Sequence, residues 1–199
     1  MKSSGPHDIA RARIALNLTC NQRCAFCDSV ATENPGECRR ENILKSLAKL
    51  RKSSARVVFT GGEPTINPDL FKYIEAAAGL GFDTVALETN GMMFSYPQFA
   101  DRIAASAVSD VSVLLVSHRG DVSDGITRKP GGQELACRGI EAVCGRGMAV
   151  SIRVPLLPET YAELAGLVRF AAERFSGVER VEPFLPGRTG GSRAVSPED

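Results

Sequence analysis

The chain has 199 residues, a length at which one domain can bury an adequate core without help from disulfides. Its 43% hydrophobic and 24% charged residues are those of an ordinary globular protein, not of a disordered or membrane one. With 24 Lys and Arg against 23 Asp and Glu, the net charge of +1 gives no electrostatic reason to expect a nucleic acid or an anionic membrane as partner.

No stretch approaches the roughly 20 apolar residues of a spanning helix. The N-terminal "MKSSGPHDIARAR" lacks the apolar segment of a signal peptide, so a cytoplasmic protein with no membrane partner is expected. Six cysteines, three of them clustered, fit a reducing compartment and metal ligation better than a disulfide framework.

In chain order, "RIALNLT" (13–19) reads as a first strand, followed by a cysteine-bearing loop and a helix with Ile43, Leu44, Leu47 and Leu50 at helical spacing. "ARVVFT" (55–60) is a second strand. The helix after it takes Asn67 as N-cap, Pro68 at its first position and Gly81 just past its end. "DTVALET" (83–89) is a third strand, with a helix near 97–107 behind it. Strand four is "DVSVLLVS" (110–117), then a long polar loop to Arg128 and a helix over 133–144. Strand five is "MAVSIRVPLL" (148–157), with a helix over 160–175, and strand six is "VERVEPFL" (178–185). Near-continuous apolar strands alternating with helices predict a parallel sheet covered by helices, in one domain over 13–185. An N-terminal extension (1–12) and a flexible tail (186–199) flank it.

A parallel sheet gathers its chemistry at the C-terminal ends of its strands, where the loops converge. The unusual residues here all follow strand ends. "TCNQRCAFCDS" (19–29) follows strand one, "GGEP" (61–64) strand two and "NG" (90–91) strand three. "SHRGDVSDGITRKPGG" (117–132) follows strand four. Cys20, Cys24 and Cys27 admit three readings: small buried hydrophobes, part of a zinc site, or three ligands of an iron–sulfur cluster. The polar neighbours Asn21, Gln22, Arg23 and Asp28 suit burial poorly, and His7 and His118 are not at zinc-finger spacing. Three thiolates on a four-iron cluster leave one iron with an open position.

"CNQRCAFC" (20–27) resembles the C-x-x-x-C-x-aromatic-C signature of radical S-adenosylmethionine (SAM) enzymes, with Phe26 as the aromatic residue. Gly61, Gly62, Glu63 and Pro64 match that family's second motif, and "TNG" (89–91) resembles its frequent third-strand ending. The resemblance, from about residue 13 to 185, implies a partial (β/α)6 TIM-like barrel with parallel strands. It implies a [4Fe–4S] cluster on Cys20, Cys24 and Cys27, with SAM on the open iron. One-electron reduction would then cleave SAM to a 5′-deoxyadenosyl radical that removes a hydrogen atom from a substrate. Gly61 and Gly62 would let backbone approach the methionine part of SAM, Pro64 would stiffen the turn, and Glu63 would accept the SAM ammonium or order the loop. The loop after strand four is similar to the S-x-D-G…H-D…R…G segment of peptide-maturing members, which puts Ser117 and Arg128 on the SAM carboxylate. Asn90 either helps bind SAM or forms an Asn-Gly turn.

Arg153, inside an apolar strand, is either paired in the barrel mouth or snorkelling outside. Cys137 and Cys144 read as packing on one helix face, and Cys38 remains open. No cysteine follows Cys144, so no auxiliary cluster is expected in the tail. The expected function is a minimal radical SAM enzyme acting on a peptide or small metabolite. The alternatives are a glycyl-radical activase or nucleoside-modifying enzyme, and a non-catalytic iron–sulfur subunit. The expected partners are SAM, the substrate, an electron donor such as flavodoxin or ferredoxin, and a partner protein or second copy.

Overall fold

Six apolar runs become six strands: β1 (Ala12–Ala15), β2 (Arg56–Thr60), β3 (Thr84–Thr89), β4 (Asp110–Leu114), β5 (Ala149–Pro155) and β6 (Val178–Phe184). In this computed structural model, which describes residues 12–27 and 38–186, they form one sheet in chain order. Every neighbouring pair is parallel. Parallel neighbours need crossovers, and helices supply them: α1 (Arg40–Leu50), α2 (Leu70–Gly79), α3 (Pro97–Ala104), α4 (Gly120–Thr127), α5 (Gly132–Cys144) and α6 (Leu164–Arg174). The first and last strands do not pair with each other, so the sheet is open, as expected of a partial (β/α)6 barrel. The terminal segments expected over 1–12 and 186–199 lie, apart from Ala12 and Pro186, outside the described residues.

Side-chain alternation along the strands sorts the two faces of the sheet. Val57, Phe59, Val85, Leu87, Val111, Val113, Val150 and Ile152 are buried in the layer beneath the helices. At roughly 1.5–3 kcal/mol for each fully buried large aliphatic or aromatic side chain, this layer is the main source of stability. The intervening positions face the inside of the barrel and are far more polar: Arg13, Glu88, Ser112 and Arg153 among them. The register sets Glu88 beside Ser112, and Ser112 beside Ser151.

Three expectations change. β1 stops at Ala15 instead of running to Thr19, because residues 16–19 leave the ladder to bond the loop after β2. α2 begins at Leu70 with Asp69 as its N-cap, not Asn67. A 3-10 turn at Pro64–Ile66 uses up the space before it, and Asn67 accepts from the Asp69 N–H while its amide donates to the Leu16 carbonyl. The polar loop after strand four contains a helix, α4, despite glycines at both Gly120 and Gly125. Ile126 and Val122 hold it, packing with Phe26, Val116 and Leu157 in a small cluster apart from the main core.

Candidate functional site

The segment after β1 is clamped on two sides. On one side it is sewn to the β2 loop: Leu16 N–H donates to the Thr60 carbonyl (2.9 Å), Gly62 N–H to Asn17 (2.8 Å) and Glu63 N–H to Thr19 (2.8 Å). The Asn17 side-chain amide returns a bond to the Glu63 carbonyl (3.1 Å). A Cβ on Gly61 would stand 2.4 Å from the Asn17 carbonyl oxygen, and one on Gly62 would stand 2.2 Å from that of Thr19. The two glycines therefore admit the backbone of residues 17–19, a closer partner than the ligand the sequence reading assigned them. On the other side, Arg23 and Ala25 N–H groups donate to the last carbonyls of α4, at Thr127 (3.0 Å) and Ile126 (2.9 Å). These bonds satisfy part of a helix end that has no partners within the helix.

Glu63 is fully buried and acts as a knot between strand ends. One carboxylate oxygen accepts from the Thr65 N–H (3.0 Å), the Thr65 hydroxyl and the Thr89 hydroxyl (2.6 Å); the other accepts the Asn90 N–H (2.7 Å). Burial pushes its pKa up, and these donors oppose the shift. Pro64, also buried, opens the 3-10 turn. Asn90 makes the turn: its side-chain oxygen accepts from Met92 N–H (3.1 Å), and its amide donates to the Asn21 side chain (2.6 Å), with Gly91 at φ 76°. The ends of β1, β2 and β3 are thus fastened into one rim.

Cys20, Cys24 and Cys27 line a single cavity of about 310 Å³ in this rim, together with Phe26, Gly61, Gly62, Glu63 and Asn90. Cys20 and Cys27 are exposed and Cys24 is partly buried. The Cys20 sulfur accepts from Gln22 N–H (3.4 Å), and the Cys24 thiol points to the Gln22 side-chain oxygen (3.5 Å). Burial pushes the Cys24 thiol up to about 12, and the neighbouring Cys20 and Cys27 add to the shift. Thiols this close repel as thiolates, and a cationic iron–sulfur core is what offsets the repulsion. Among the described residues no three His, Cys, Asp or Glu side chains close around a single ion. A four-iron cluster spreads its thiolates over separate irons, so three cysteines around one cavity suit it.

Ser117 and Arg128 do not join this cavity. Ser117 is buried, and its hydroxyl accepts the Arg119 N–H (3.0 Å) at the entry to α4. Arg128 is exposed at the end of α4, with a left-handed φ of 52°, and lines a separate groove with Ala25, Asp121 and Glu159. Cys38 lies outside the cavity, while Cys137 is buried in the core and Cys144 packs against it. Arg153 is on the inside of the barrel, where its guanidinium bonds Glu88 (2.7 Å) and lies over the Phe184 ring (4.4 Å). The sequence reading missed Gln22, Arg13, Glu88 and Phe184, which also line the cavity. For Arg13 and Glu88, a charged residue at an inward position of an otherwise apolar strand was the available signal.

The probable GTP 3′,8-cyclase of Methanopyrus kandleri is 30% identical, over 100% of this chain and 64% of that protein. Mycofactocin maturase MftC of Mycobacterium tuberculosis is 28% identical over 88% of this chain and 44% of its own length. The chain thus spans about half to two-thirds of these relatives. Streptococcus suis SuiB, solved with S-adenosylmethionine bound, superposes with a TM-score of 0.73 at 18% identity, covering 93% of this chain and 43% of SuiB. That likeness is one of fold: a partial parallel barrel. Residues 15–171, which carry the cysteine loop, the glycine turn and four of the six strands whole, match the radical SAM superfamily, and the chain belongs to that family, whose enzymes use a [4Fe–4S] cluster and SAM.

Proposed function

We propose that this chain is a radical SAM enzyme that removes a hydrogen atom from a peptide or small-metabolite substrate. The observation that carries the reading is the single cavity shared by Cys20, Cys24, Cys27 and the Gly61–Gly62–Glu63 turn. The cysteines would hold the cluster, which when bound supplies the electron that splits SAM into methionine and the 5′-deoxyadenosyl radical. Gly61 and Gly62 fix the distance between the cysteine loop and β2, and Glu63 fixes the β2 loop against Asn90. Among the described residues, Glu63's second oxygen accepts only the Asn90 N–H, which leaves it a lone pair for an ammonium group at the cavity wall. Phe26, on the apolar side, helps to keep water from the reacting centre.

The relatives supply two substrate classes. MftC is a maturase, and SuiB has been solved bound to its precursor peptide SuiA, which supports a peptide. The match to a probable GTP 3′,8-cyclase over the whole chain supports a nucleotide. An external one-electron donor such as flavodoxin or ferredoxin belongs to either reading.

The test is anaerobic reconstitution with iron and sulfide, followed by dithionite and SAM. 5′-Deoxyadenosine is expected from the intact chain. Cys24→Ala should lose both the cluster absorbance and the product. A cluster-replete sample that forms no 5′-deoxyadenosine overturns the enzyme reading.

A further inference from the structure

Below the cysteine rim, on the inner wall of the barrel, three charged side chains from alternate strands meet. Arg13 on β1 meets Glu88 on β3 with both forks, Nη1 to Oε1 (2.5 Å) and Nη2 to Oε2 (2.6 Å). Arg153 on β5 reaches the same Oε2 from the other side through Nη1 (2.7 Å). One carboxylate thus serves two guanidiniums, and the group carries a surplus positive charge into the cavity.

Within this group of three the surplus has no counter-charge. Among the described residues, Arg153 Nε and Nη2 have no hydrogen-bond partner. The Arg153 side chain is about three-quarters buried, its guanidinium lies over Phe184, and it lines the cavity together with the cysteines. Strand stapling accounts for the Arg13–Glu88 fork, which already closes both carboxylate oxygens. It does not account for a second arginine, partly buried, stacked on a ring and left with donors to spare. A planar fork held in that way matches an oxyanion.

We propose that Arg153, backed by Arg13 and oriented by Glu88 and Phe184, is the subsite for an oxyanion of the substrate, a carboxylate or a phosphate. This rests on the radical SAM reading and deepens it: the hydrogen donor is an acidic molecule, anchored by its charge on the inner wall. Glu88 is then both the arm that aims Arg153 and the internal anion that the substrate partly displaces.

Binding to the full chain, without cluster or SAM, tests this apart from catalysis. The probes are inorganic pyrophosphate and succinate, titrated by calorimetry at low ionic strength. At least one should bind, more weakly as salt is added, and which one binds tells phosphate from carboxylate. Arg153→Gln should lose about tenfold or more in affinity, the loss of hydrogen bonds to a charged group. Arg153→Lys, which keeps the charge and should keep the fold, should recover only part, because a lysine has no fork. Glu88→Gln removes the competing anion and should tighten binding severalfold. The titration uses neither cluster nor SAM, so failure of the cluster chemistry leaves this result standing. Binding of neither probe, equal binding by Arg153→Gln, or weaker binding by Glu88→Gln overturns the proposal.

Discussion

Gly62 has no room for a side chain, and its backbone torsion is not what excludes one. A Cβ would stand 2.2 Å from the Thr19 carbonyl oxygen, which is bonded to the next residue's N–H in the same seam. Gly61 adds a conformational reason, with φ at 133°. Gly62→Ala must therefore push the cysteine loop off β2. We expect a loss of about 1–3 kcal/mol in unfolding free energy, the usual cost of forcing a group into packed structure. We also expect less iron retained per chain after reconstitution. Urea unfolding and iron analysis read the two effects, and a variant matching the parent in both contradicts the seam. At this scale the sequence was informative about which residues matter and less so about why. Two glycines, a glutamate and a proline at a strand end announce a special turn. That the glycines face the chain's own backbone, and that Glu63 spends four hydrogen bonds on its neighbours, depends on residues 17–19 and 89–90 meeting in space.

Two helices place glycine in opposite settings. Gly125 in α4 is exposed, and a Cβ there would meet nothing within 4 Å. Gly139 in α5 is buried, and its Cβ would come 2.2 Å from the Gly91 carbonyl oxygen, in the turn that carries Asn90. Helix propensity favours alanine by roughly 1 kcal/mol at either site. Gly125→Ala should therefore stabilise by about 0.5–1 kcal/mol. Gly139→Ala should destabilise by about 1–3 kcal/mol as α5 is forced from the turn at Met92–Ser95. Shifts of the same sign in chemical unfolding would show that the two settings do not differ as described. The same contrast explains what local reading could not find. α5 has good helix formers and strong periodicity and was legible, whereas "GDVSDGIT" favours turns and was not. α4 exists because Ile126 is buried against Phe26 and because the cysteine loop bonds its last carbonyls, both long-range facts.

Six strand–helix units in a parallel sheet were legible from their alternation, while the barrel order followed only from the resemblance carried by the cysteine and glycine motifs. The inward face was harder to read, since its polar residues are explained only by the cavity they share. Leaving the barrel open between β1 and β6 has a consequence for dynamics. β3 and β4 each pair on both sides and are sealed by helices, while β6 pairs only with β5 and is half exposed along its length. Local opening costs least where few buried contacts and few ladder bonds must break. Amides of β6 should therefore exchange with solvent at least about tenfold faster than those of β3 and β4, which should open only with the whole domain. Phe184, Leu185 and Pro186 line the cavity, so the strand that opens most readily is also one wall of the site. An oxyanion seated on Arg153, under the Phe184 ring, should slow exchange in β6 and leave β3 unchanged. Hydrogen–deuterium exchange followed by mass spectrometry, with and without the anion, reads both. Uniform protection across the six strands would mean that the open edge is as firmly held as the centre, and would remove this route of access.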